Sequence, residues 1–553
     1  MRTAGFDLPR LLFAARGVRM ASLNRRRVGA MRVIMAICLA FGVLLAGADA
    51  PAADLRIGVA SEVTTLDPHF FHLTSNTEIH KGIYSGLVTQ DADMKVIPDL
   101  ASSWRTIDAT HWEFKLRPGV TFHDGTPLTA DDVVFTYERA RNVPNSPGSF
   151  LQYLKNVTKT TAVDPLTVVV ETNGPDPIVL NELQNVWIVS RKIGEGATSS
   201  DYNSRKVAIG TGPYKVVDWV QGDRIVLRRF DNYYGPKPDW ETVTYRPIVN
   251  DAARTAALLS GDVDLIASVP ANDLENVRAN PKLTVATMQS NRCFFWAIDG
   301  DRDVTPSVTD ADGKPMTKNP LKDVRVRRAL SKALDRAAMV SRVMQGQGVA
   351  ASQFMPEGVP GISASLKPEA YDLEGAKKLL AEAGYPNGFS LIVSSSNDRY
   401  INDALMTQAV AQMWSRLGLK ITVNTLPKAV YFTRANKLEF SVLLGGNSTD
   451  TSEPLSQLAY LLGTWDATKG IGNGNWGRYS NPKVDQLIAA AYGTMDDTKR
   501  AALVAQANEL ALGQDVAAIP ILFQITAWGM RKGIAYGGFP QDATVAALVH
   551  MVK

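Results

Sequence analysis

The chain has 553 residues, of which 45% are hydrophobic and 21% charged, and these proportions exclude a disordered chain and a polytopic membrane protein. Because a single hydrophobic core rarely grows beyond roughly 250 to 300 residues, we expect two or three domains. Residues 1–53 hold eight Arg against two Asp, so the net charge of +4 arises there and the remainder is close to neutral. The basic surface typical of nucleic-acid binding is therefore not expected.

Residues 1–53 have the organisation of a secretory signal peptide. Four Arg precede an apolar run over residues 33–45, and small residues follow up to Ala53. The run is shorter than the roughly 20 residues that span a bilayer, so we predict cleavage between Ala48 and Ala53 and export to the periplasm. Removal of the segment leaves Cys293 as the only cysteine, and no intramolecular disulfide is expected.

After this segment, strand and helix patterns alternate along the chain. Trp112, Phe114 and Leu116 alternate with polar residues, which predicts a half-buried strand over residues 111–116. Thr129 and Asp132 form a capping box, which predicts that a helix begins there. Further strands are predicted over residues 55–60, 166–171, 225–227, 391–394, 419–423 and 440–445, and a further helix over residues 372–383.

Two more helices are predicted in the second half of the chain. The helix over residues 402–417 has Leu405, Ala409 and Met413 on its apolar face. The basic run at 322–328 opens a second amphipathic pattern, which predicts a helix with its charges on one solvent-exposed face. The repeated alternation of helices and strands indicates α/β domains.

Signatures of P-loop nucleotide binding, zinc proteases, serine hydrolases and zinc ribbons are missing from the sequence. We therefore expect a protein that is not an enzyme and that holds no cofactor and no resident metal. Gly472, Gly474 and Gly477 have the spacing of a dinucleotide fingerprint, but no strand precedes them, so a loop is predicted. His69 and His72 form a His-x-x-His pair, which leaves binding of a transition metal open.

The segment over residues 112–136 combines LRPGV, FHDG and TPLTADDV in this order. It resembles the signature of the bacterial extracellular solute-binding proteins called family 5, the peptide, nickel and oligosaccharide receptors of ABC importers. Other segments agree with that family, and the resemblance covers essentially the whole chain after residue 53. They are TLDP at 65–68, IYSGL at 83–87, GTGPY at 210–214, NYYG at 232–235, SGDVD at 260–264 and AGYPNG at 383–388.

The resemblance implies an α/β fold with two lobes that close like a Venus flytrap, similar to the cluster C binding proteins, and an inserted subdomain. Crossovers near residues 292 and 520 would form the hinge, so that the lobes can close on a ligand held between them. The expected division is lobe I at 54–85, 205–292 and 520–553, the inserted subdomain at 86–204, and lobe II at 293–519.

The resemblance also implies a function, which is a periplasmic receptor that captures a small peptide or peptide-like solute and delivers it to an ABC importer. The alternative is a receptor for a metal chelate or another non-peptide solute, with His69 and His72 as the residues that suggest it. The expected partners are the ligand and the permease subunits of the importer. Contact with the inner membrane would be peripheral only, the protein would be a monomer, and nucleic acid is not expected.

Dipeptide receptors of this family pair an Asp with the peptide amine and an Arg with its carboxylate. The corresponding loop here follows the strand at 440–445, begins at Asn447 and places Asp450 at the amine position. The Arg position corresponds to Arg399, and Arg292 beside the expected hinge is a further candidate for an anion contact. The predicted ligand-binding residues are therefore Asp450, Arg399, Asn447 and Arg292.

Overall fold

The computed structural model describes residues 53–552. The predicted signal peptide and its cleavage site therefore lie almost entirely outside the described residues. Within this range, no helix is both long enough and apolar enough to cross a membrane.

The described chain alternates between strands and helices. The strands are β1 (Asp54–Val59), β2 (Val88–Gln90), β3 (Val96–Pro98), β4 (Ala101–Asp108), β5 (His111–Leu116), β6 (Val157–Asp164), β7 (Thr167–Thr172), β8 (Tyr214–Val220), β9 (Arg224–Arg229), β10 (Thr242–Pro247), β11 (Leu265–Ile266), β12 (Leu283–Ile298), β13 (Val308–Thr309), β14 (Gly348–Ala350), β15 (Ser390–Ser396), β16 (Lys420–Leu426), β17 (Val442–Asn447), β18 (Ala518–Arg531), β19 (Ile534–Ala535) and β20 (His550–Met551).

The helices are α1 (Thr74–Ile83), α2 (Ala130–Ala140), α3 (Leu151–Leu154), α4 (Val179–Leu183), α5 (Arg191–Gly194), α6 (Ser199–Asn203), α7 (Asp251–Ser260), α8 (Leu274–Ala279), α9 (Val324–Lys332), α10 (Arg336–Ala338), α11 (Leu373–Glu382), α12 (Asp403–Ser415), α13 (Lys428–Asn436), α14 (Pro454–Leu462), α15 (Pro482–Tyr492) and α16 (Asp497–Asn508). Short 3-10 turns lie at Ala271–Asp273, Pro320–Lys322 and Ala546–Leu548, and π-helical turns at Met339–Val343 and Glu509–Gln514.

One large mixed sheet connects the two halves of the molecule. Its strand order is β13-β15-β17-β12-β18-β11-β1-β10-β9-β8, with β14 beside β18 and β16 beside β15. The two longest strands, β12 and β18, pair antiparallel at its centre. On one side β1 runs parallel to β10 and β11, and on the other β15 runs parallel to β16 and β17. The α/β fold expected from the sequence is confirmed, and β12 and β18 run from one half into the other.

The pairing of β12 with β18 is interrupted at residues 290–292. The register shifts between Gln289 and Cys293, and both Ser290 Oγ and the Asn291 amide donate to the carbonyl of Pro540, at 3.1 and 3.0 Å. A bulge of this kind bends a strand and turns a side chain out of the ladder. The interruption coincides with the crossover expected near residue 292, while the residue boundaries of the lobes remain a prediction.

A separate four-stranded sheet, in the order β4-β5-β7-β6, lies within the expected inserted subdomain. Strand β5 covers the predicted residues 111–116. Helix α2 begins where the capping box predicts, because the Asp132 carboxylate accepts from the Thr129 amide at 2.9 Å and from its hydroxyl at 3.2 Å. Both local predictions are confirmed.

Helix α1 is fixed by the GTGPY segment. The Gly212 amide donates to the carbonyl of Ile83 at 2.9 Å. A Cβ at Gly210 would collide with the same carbonyl, and one at Gly212 would lie 2.6 Å from the carbonyl oxygen of Gly82. Only glycine permits this close approach of the backbones, and it holds the C-terminal end of α1 in place.

One prediction about a helix face holds only in part and another is wrong. In α12 the fully buried stripe is Met406, Val410 and Trp414. Of the predicted stripe, Ala409 and Met413 are partly buried against the core, but Leu405 is 50% exposed. In α9 the basic residues do not share one solvent-exposed face, because Arg327 is buried. Its guanidinium donates to the carbonyls of Leu321, Lys322, Asp515 and Val516. Its guanidinium satisfies carbonyls that would otherwise be left unpaired in the interior.

Candidate functional site

A cavity of about 170 Å³ lies between two walls of polar side chains. One wall is formed by α1 with the residues before it, by residues 184–187 and by the C-terminal segment near residue 542. The other is formed by the bulge of β12 and by the loops after β15 and β17. The lining residues are His72, Leu73, Thr74, Thr77, Lys81, Gln184, Asn185, Trp187, Arg292, Arg399, Gly446, Asn447, Ser448, Asp450, Gln541 and Ala543.

The sheet topology explains why distant residues meet at the second wall. Strands β15 and β17 are parallel neighbours, so the loops that follow them leave the same edge of the sheet, where α/β proteins commonly bind ligands. Cys293 pairs with Asn447 across β12 and β17, which brings the bulge to the same edge. All four residues predicted to contact a ligand, Asp450, Arg399, Asn447 and Arg292, therefore line this one cavity.

The Asp450 carboxylate already contacts two side chains from the first half of the chain. Its Oδ2 accepts from the Tyr153 hydroxyl at 2.9 Å and lies 3.4 Å from His72 Nδ1. Its Oδ1 accepts no hydrogen bond from residues 53–552, and 41% of the side chain is exposed. The carboxylate thus has an open position for a cationic group.

The two arginines of the second wall differ in their pairing. Arg292 is buried, its Nε lies 3.1 Å from Asp542 Oδ2, and its Nη1 donates to the Gly446 carbonyl at 3.3 Å. Arg399 has no carboxylate within 4 Å among the described residues, and its guanidinium lies 5.0 Å from the ring centre of Tyr400. Desolvation at the cavity and the charge of Arg292 lower the pKa of Arg399. Arg399 is the unpaired guanidinium of this wall.

Gly446 and Asn447 shape the floor between these charges. A Cβ at Gly446 would lie 2.8 Å from the rings of Phe294 and Tyr400, so a larger residue would displace the aromatic support of the wall. The Gly446 carbonyl also accepts from the Tyr400 hydroxyl at 2.9 Å. The side-chain oxygen of Asn447 accepts from Gln457 at 3.2 Å, which fixes the orientation of its amide.

The loop that carries Asp450 is held across the cavity edge by neutral side chains. The Thr451 carbonyl accepts from the amides of Gln90, Asn181 and Gln184, at 3.2, 3.1 and 3.3 Å. We call these three residues the amide clamp. The clamp joins the part of the chain before residue 185 to the loop after β17, so it fixes Asp450 without adding charge.

His69 and His72 do not form a joint metal site. His69 is fully buried, with Nε2 2.8 Å from the Trp187 carbonyl and Nδ1 2.8 Å from Arg139 Nη1. Burial lowers the pKa of His69 to about 3, so the ring is neutral. His72 instead lines the cavity and stacks on Trp187, with 5.8 Å between ring centres. Among residues 53–552, no group of three or more His, Cys, Asp or Glu is arranged to hold a metal ion.

Sequence reasoning missed the functional candidates of the first wall. Thr77, Lys81 and Trp187 line the cavity, but none of them belongs to the aligned ligand-contacting positions. The one available signal was the presence of Thr77 and Lys81 four residues apart, and therefore on one face of α1.

A second cleft of about 1370 Å³ lies on the other side of the amide clamp. Its walls include Trp104, Trp112, Met288 and the Pro- and Gly-rich loop at 356–362. None of the predicted ligand-binding residues lines it. We place the candidate site in the smaller cavity, because the four residues predicted to bind a ligand all line it.

Comparison with known proteins gives a consistent result. The family model described as bacterial extracellular solute-binding proteins, family 5 Middle, matches residues 95–469. A glutathione-binding protein GsiB of Pectobacterium atrosepticum is 29% identical over 468 residues, covering 83% of this chain and 86% of that protein.

Two solved structures share the fold. The periplasmic binding protein DppA of Helicobacter pylori, in complex with the peptide STSA, has a TM-score of 0.74 at 22% identity over 91% of this chain and 99% of that one. NikZ of Campylobacter jejuni, in complex with Ni(L-His), has a TM-score of 0.73 at 20% identity over 88% and 95%.

Proposed function

The chain belongs to the bacterial extracellular solute-binding proteins of family 5, and on that premise we propose that it is a periplasmic receptor for a small peptide-like solute. The solute binds in the cavity of about 170 Å³ and is delivered to the permease subunits of an ABC importer. The protein acts by binding and release rather than by catalysis.

One observation carries this proposal. Arg399, without a carboxylate partner in residues 53–552, and Asp450, with an open oxygen, line the same cavity. A peptide carries a carboxylate and an ammonium, which complement these two groups. Charged groups in a confined cavity are costly unless a partner of opposite charge meets them, and a guanidinium pairs with a carboxylate through two parallel hydrogen bonds.

The size of the cavity favours a compact solute. Its volume of about 170 Å³ lies below the roughly 300 to 1,000 Å³ typical of sites for drug-sized ligands. A dipeptide or tripeptide suits this volume better than a long peptide does. The name of the related GsiB protein, which concerns glutathione, agrees with this size class.

The arrangement of the two walls supports capture by closure. The first wall comes mainly from residues before 190 and the second from residues after 290, and the strands β12 and β18 connect the two halves. Bending at the bulge of β12 would separate the walls and admit the solute. The importer would then distinguish the closed from the open form.

The proposal is tested by calorimetry on the protein purified without its signal segment. Native mass spectrometry first identifies any solute that co-purifies. The protein is then unfolded and refolded to remove that solute, and it is titrated with dipeptides and with glutathione. We expect Asp450→Asn and Arg399→Met to lose about 2 to 5 kcal/mol of binding free energy, because each leaves a ligand charge unpaired.

Matched variants provide the controls. Asp312→Asn and Arg416→Met change exposed residues away from the cavity and should bind as the wild type does. A thermal shift assay gives a second readout, since a ligand at a hundredfold excess over Kd stabilises the folded state by about 2.7 kcal/mol. Wild-type affinity in both cavity variants would show that Asp450 and Arg399 do not bind the solute.

A metal chelate is the second candidate ligand. His72 lines the cavity, and its Nε2 has no hydrogen-bond partner among the described residues, so it could bind a metal that arrives within a complex. Titration with Ni²⁺ and free histidine together, against histidine alone, separates this candidate from the peptide.

A further inference from the structure

One face of helix α1 is turned toward the cavity. Thr74, Thr77 and Lys81 all line it, and their spacing of three and four residues places them on one side of the helix. The three residues therefore form a continuous surface opposite Arg399 and Asp450.

Lys81 carries an uncompensated charge on this surface. No carboxylate lies within 4 Å of its Nζ in residues 53–552, and the Nζ lies over the face of the Phe539 ring, 4.8 Å from the ring centre. Burial lowers the pKa of Lys81 to about 8, although Asp99 opposes this effect. The side chain is thus mostly an ammonium near neutral pH, and an anion beside it would stabilise that form.

Thr77 contributes a second, independent observation. The residue is only 5% exposed, and its hydroxyl has no hydrogen-bond partner within the described chain. A buried hydroxyl without a partner is costly, and a ligand oxygen in the cavity would satisfy it. A carboxylate can accept from this hydroxyl and from the Lys81 ammonium together.

The N-terminus of α1 adds to the same preference. The helix has ten residues, no side chain caps it, and its first turn contains no acidic residue. Leu73 and Thr74, at that end, both line the cavity. The free amides and the helix dipole favour a negative group there.

From these contacts we infer that the α1 face, Thr74, Thr77 and Lys81, binds a second acidic group of the solute. The inference rests on the proposed function and narrows it, because the receptor would then select solutes with two carboxylates and one ammonium. Arg399 takes one carboxylate, the α1 face takes the other, and Asp450 takes the ammonium. Arg292 is already neutralised by Asp542 and is not counted.

The test compares solutes that differ by one charge. The probes are alanyl-glutamate against alanyl-glutamine, and glutathione against its glycine amide, each titrated into the wild type by calorimetry. We expect at least a tenfold preference for the doubly carboxylated member of one pair or both. Lys81→Met and Thr77→Val should reduce that preference to threefold or less while the affinity for the singly carboxylated member stays within twofold.

Lys206→Met, an exposed lysine outside the cavity, is the matched control and should keep the full preference. Equal wild-type affinity within both pairs would overturn the inference, and so would an unchanged preference in both α1 variants. With either result the proposed function still holds if the peptides bind to the wild type and Arg399→Met weakens their binding. Failure of every probe to bind the wild type would overturn the proposed function and the inference with it.

Discussion

The Asp67 cluster and the cavity differ in how completely their charges are paired. Asp67 is fully buried, its carboxylate accepts from Arg139 at 2.7 and 2.9 Å, and Ser199 donates to it at 2.6 Å. Arg399 and Lys81, in contrast, have no carboxylate within 4 Å in the described chain. Both regions contain charges removed from water. We interpret the difference as one between a charge cluster that holds the fold together and one that, in the proposed function, a ligand completes.

The largest effect on stability is expected from breaking the Asp67 cluster. Arg139 lies on α2 of the expected subdomain, and Asp67 belongs to the TLDP segment after β1, so their ion pair joins two parts of the chain. Arg139→Met leaves a buried carboxylate without its cation, and we expect a loss of about 3 to 5 kcal/mol in the free energy of unfolding. Urea denaturation of the ligand-free protein measures it.

A surface pair gives the control for this prediction. Arg105 and Glu113 lie 2.8 Å apart, but the Arg105 side chain is 67% exposed, so Arg105→Met should lower the free energy of unfolding far less than Arg139→Met does. If Arg139→Met destabilised the protein no more than Arg105→Met does, the paired charges of the Asp67 cluster would not be holding the fold together, and the comparison with the cavity would fail.

Glu78 offers a second test of the comparison between paired and unpaired buried charges. Unlike Asp67, it is a buried acid without a cation within 4 Å in the described residues. It accepts from the Thr544 amide at 2.8 Å, and burial raises its pKa from 4.5 to about 8. Below pH 4.5 the carboxyl is protonated in both the folded and the unfolded chain. As the pH rises toward 8, the unfolded chain ionises first, so the free energy of unfolding falls by up to about 1.4 kcal/mol per pH unit from this group.

Glu78→Gln removes this pH-dependent contribution to the free energy of unfolding. Urea denaturation at pH 5.5 and pH 7.5 should show a smaller fall in stability for the variant than for the wild type, and the variant should be the more stable at pH 7.5. An identical pH dependence in both proteins would mean that Glu78 ionises freely in the folded state.

The histidines show why the two kinds of charge cluster could not be separated in the sequence. His69 and His72 are three residues apart, yet the first belongs to the Asp67 cluster and the second to the cavity. Which side each ring faces depends on Trp187, a residue more than a hundred positions away whose carbonyl binds one ring and whose indole stacks on the other. Spacing alone holds no information about such a partner.

Local signals predicted local structure well. The alternation in residues 111–116 and the cap at Thr129 gave the correct strand and helix start, because each pattern permits one arrangement only. In α12 two apolar stripes lie one residue apart, and only the packing of Trp414 against the rest of the core decides which is buried. The four positions predicted to bind a ligand do share one cavity, while Thr77 and Lys81 were missed because the other residues that line the cavity come from distant segments of the chain.

The smallest effect is expected at the amide clamp, which holds the cavity edge without any charge. Gln90→Met keeps the size of the side chain but removes its hydrogen bonds to the Thr451 carbonyl, the Ser452 hydroxyl and the Gln541 amide, and each such bond contributes about 1 kcal/mol. In the proposed closure the clamp forms only while the two walls are together, so its loss would favour the open form. We expect an affinity for the solute that is weaker by at least roughly fivefold, with the preference between probes unchanged. Gln412→Met, on the exposed side of α12, is the control, and small-angle scattering of the ligand-free protein should show a larger radius of gyration for Gln90→Met alone. If the preference between probes changed together with the affinity, the clamp would be acting on the ligand itself rather than on closure.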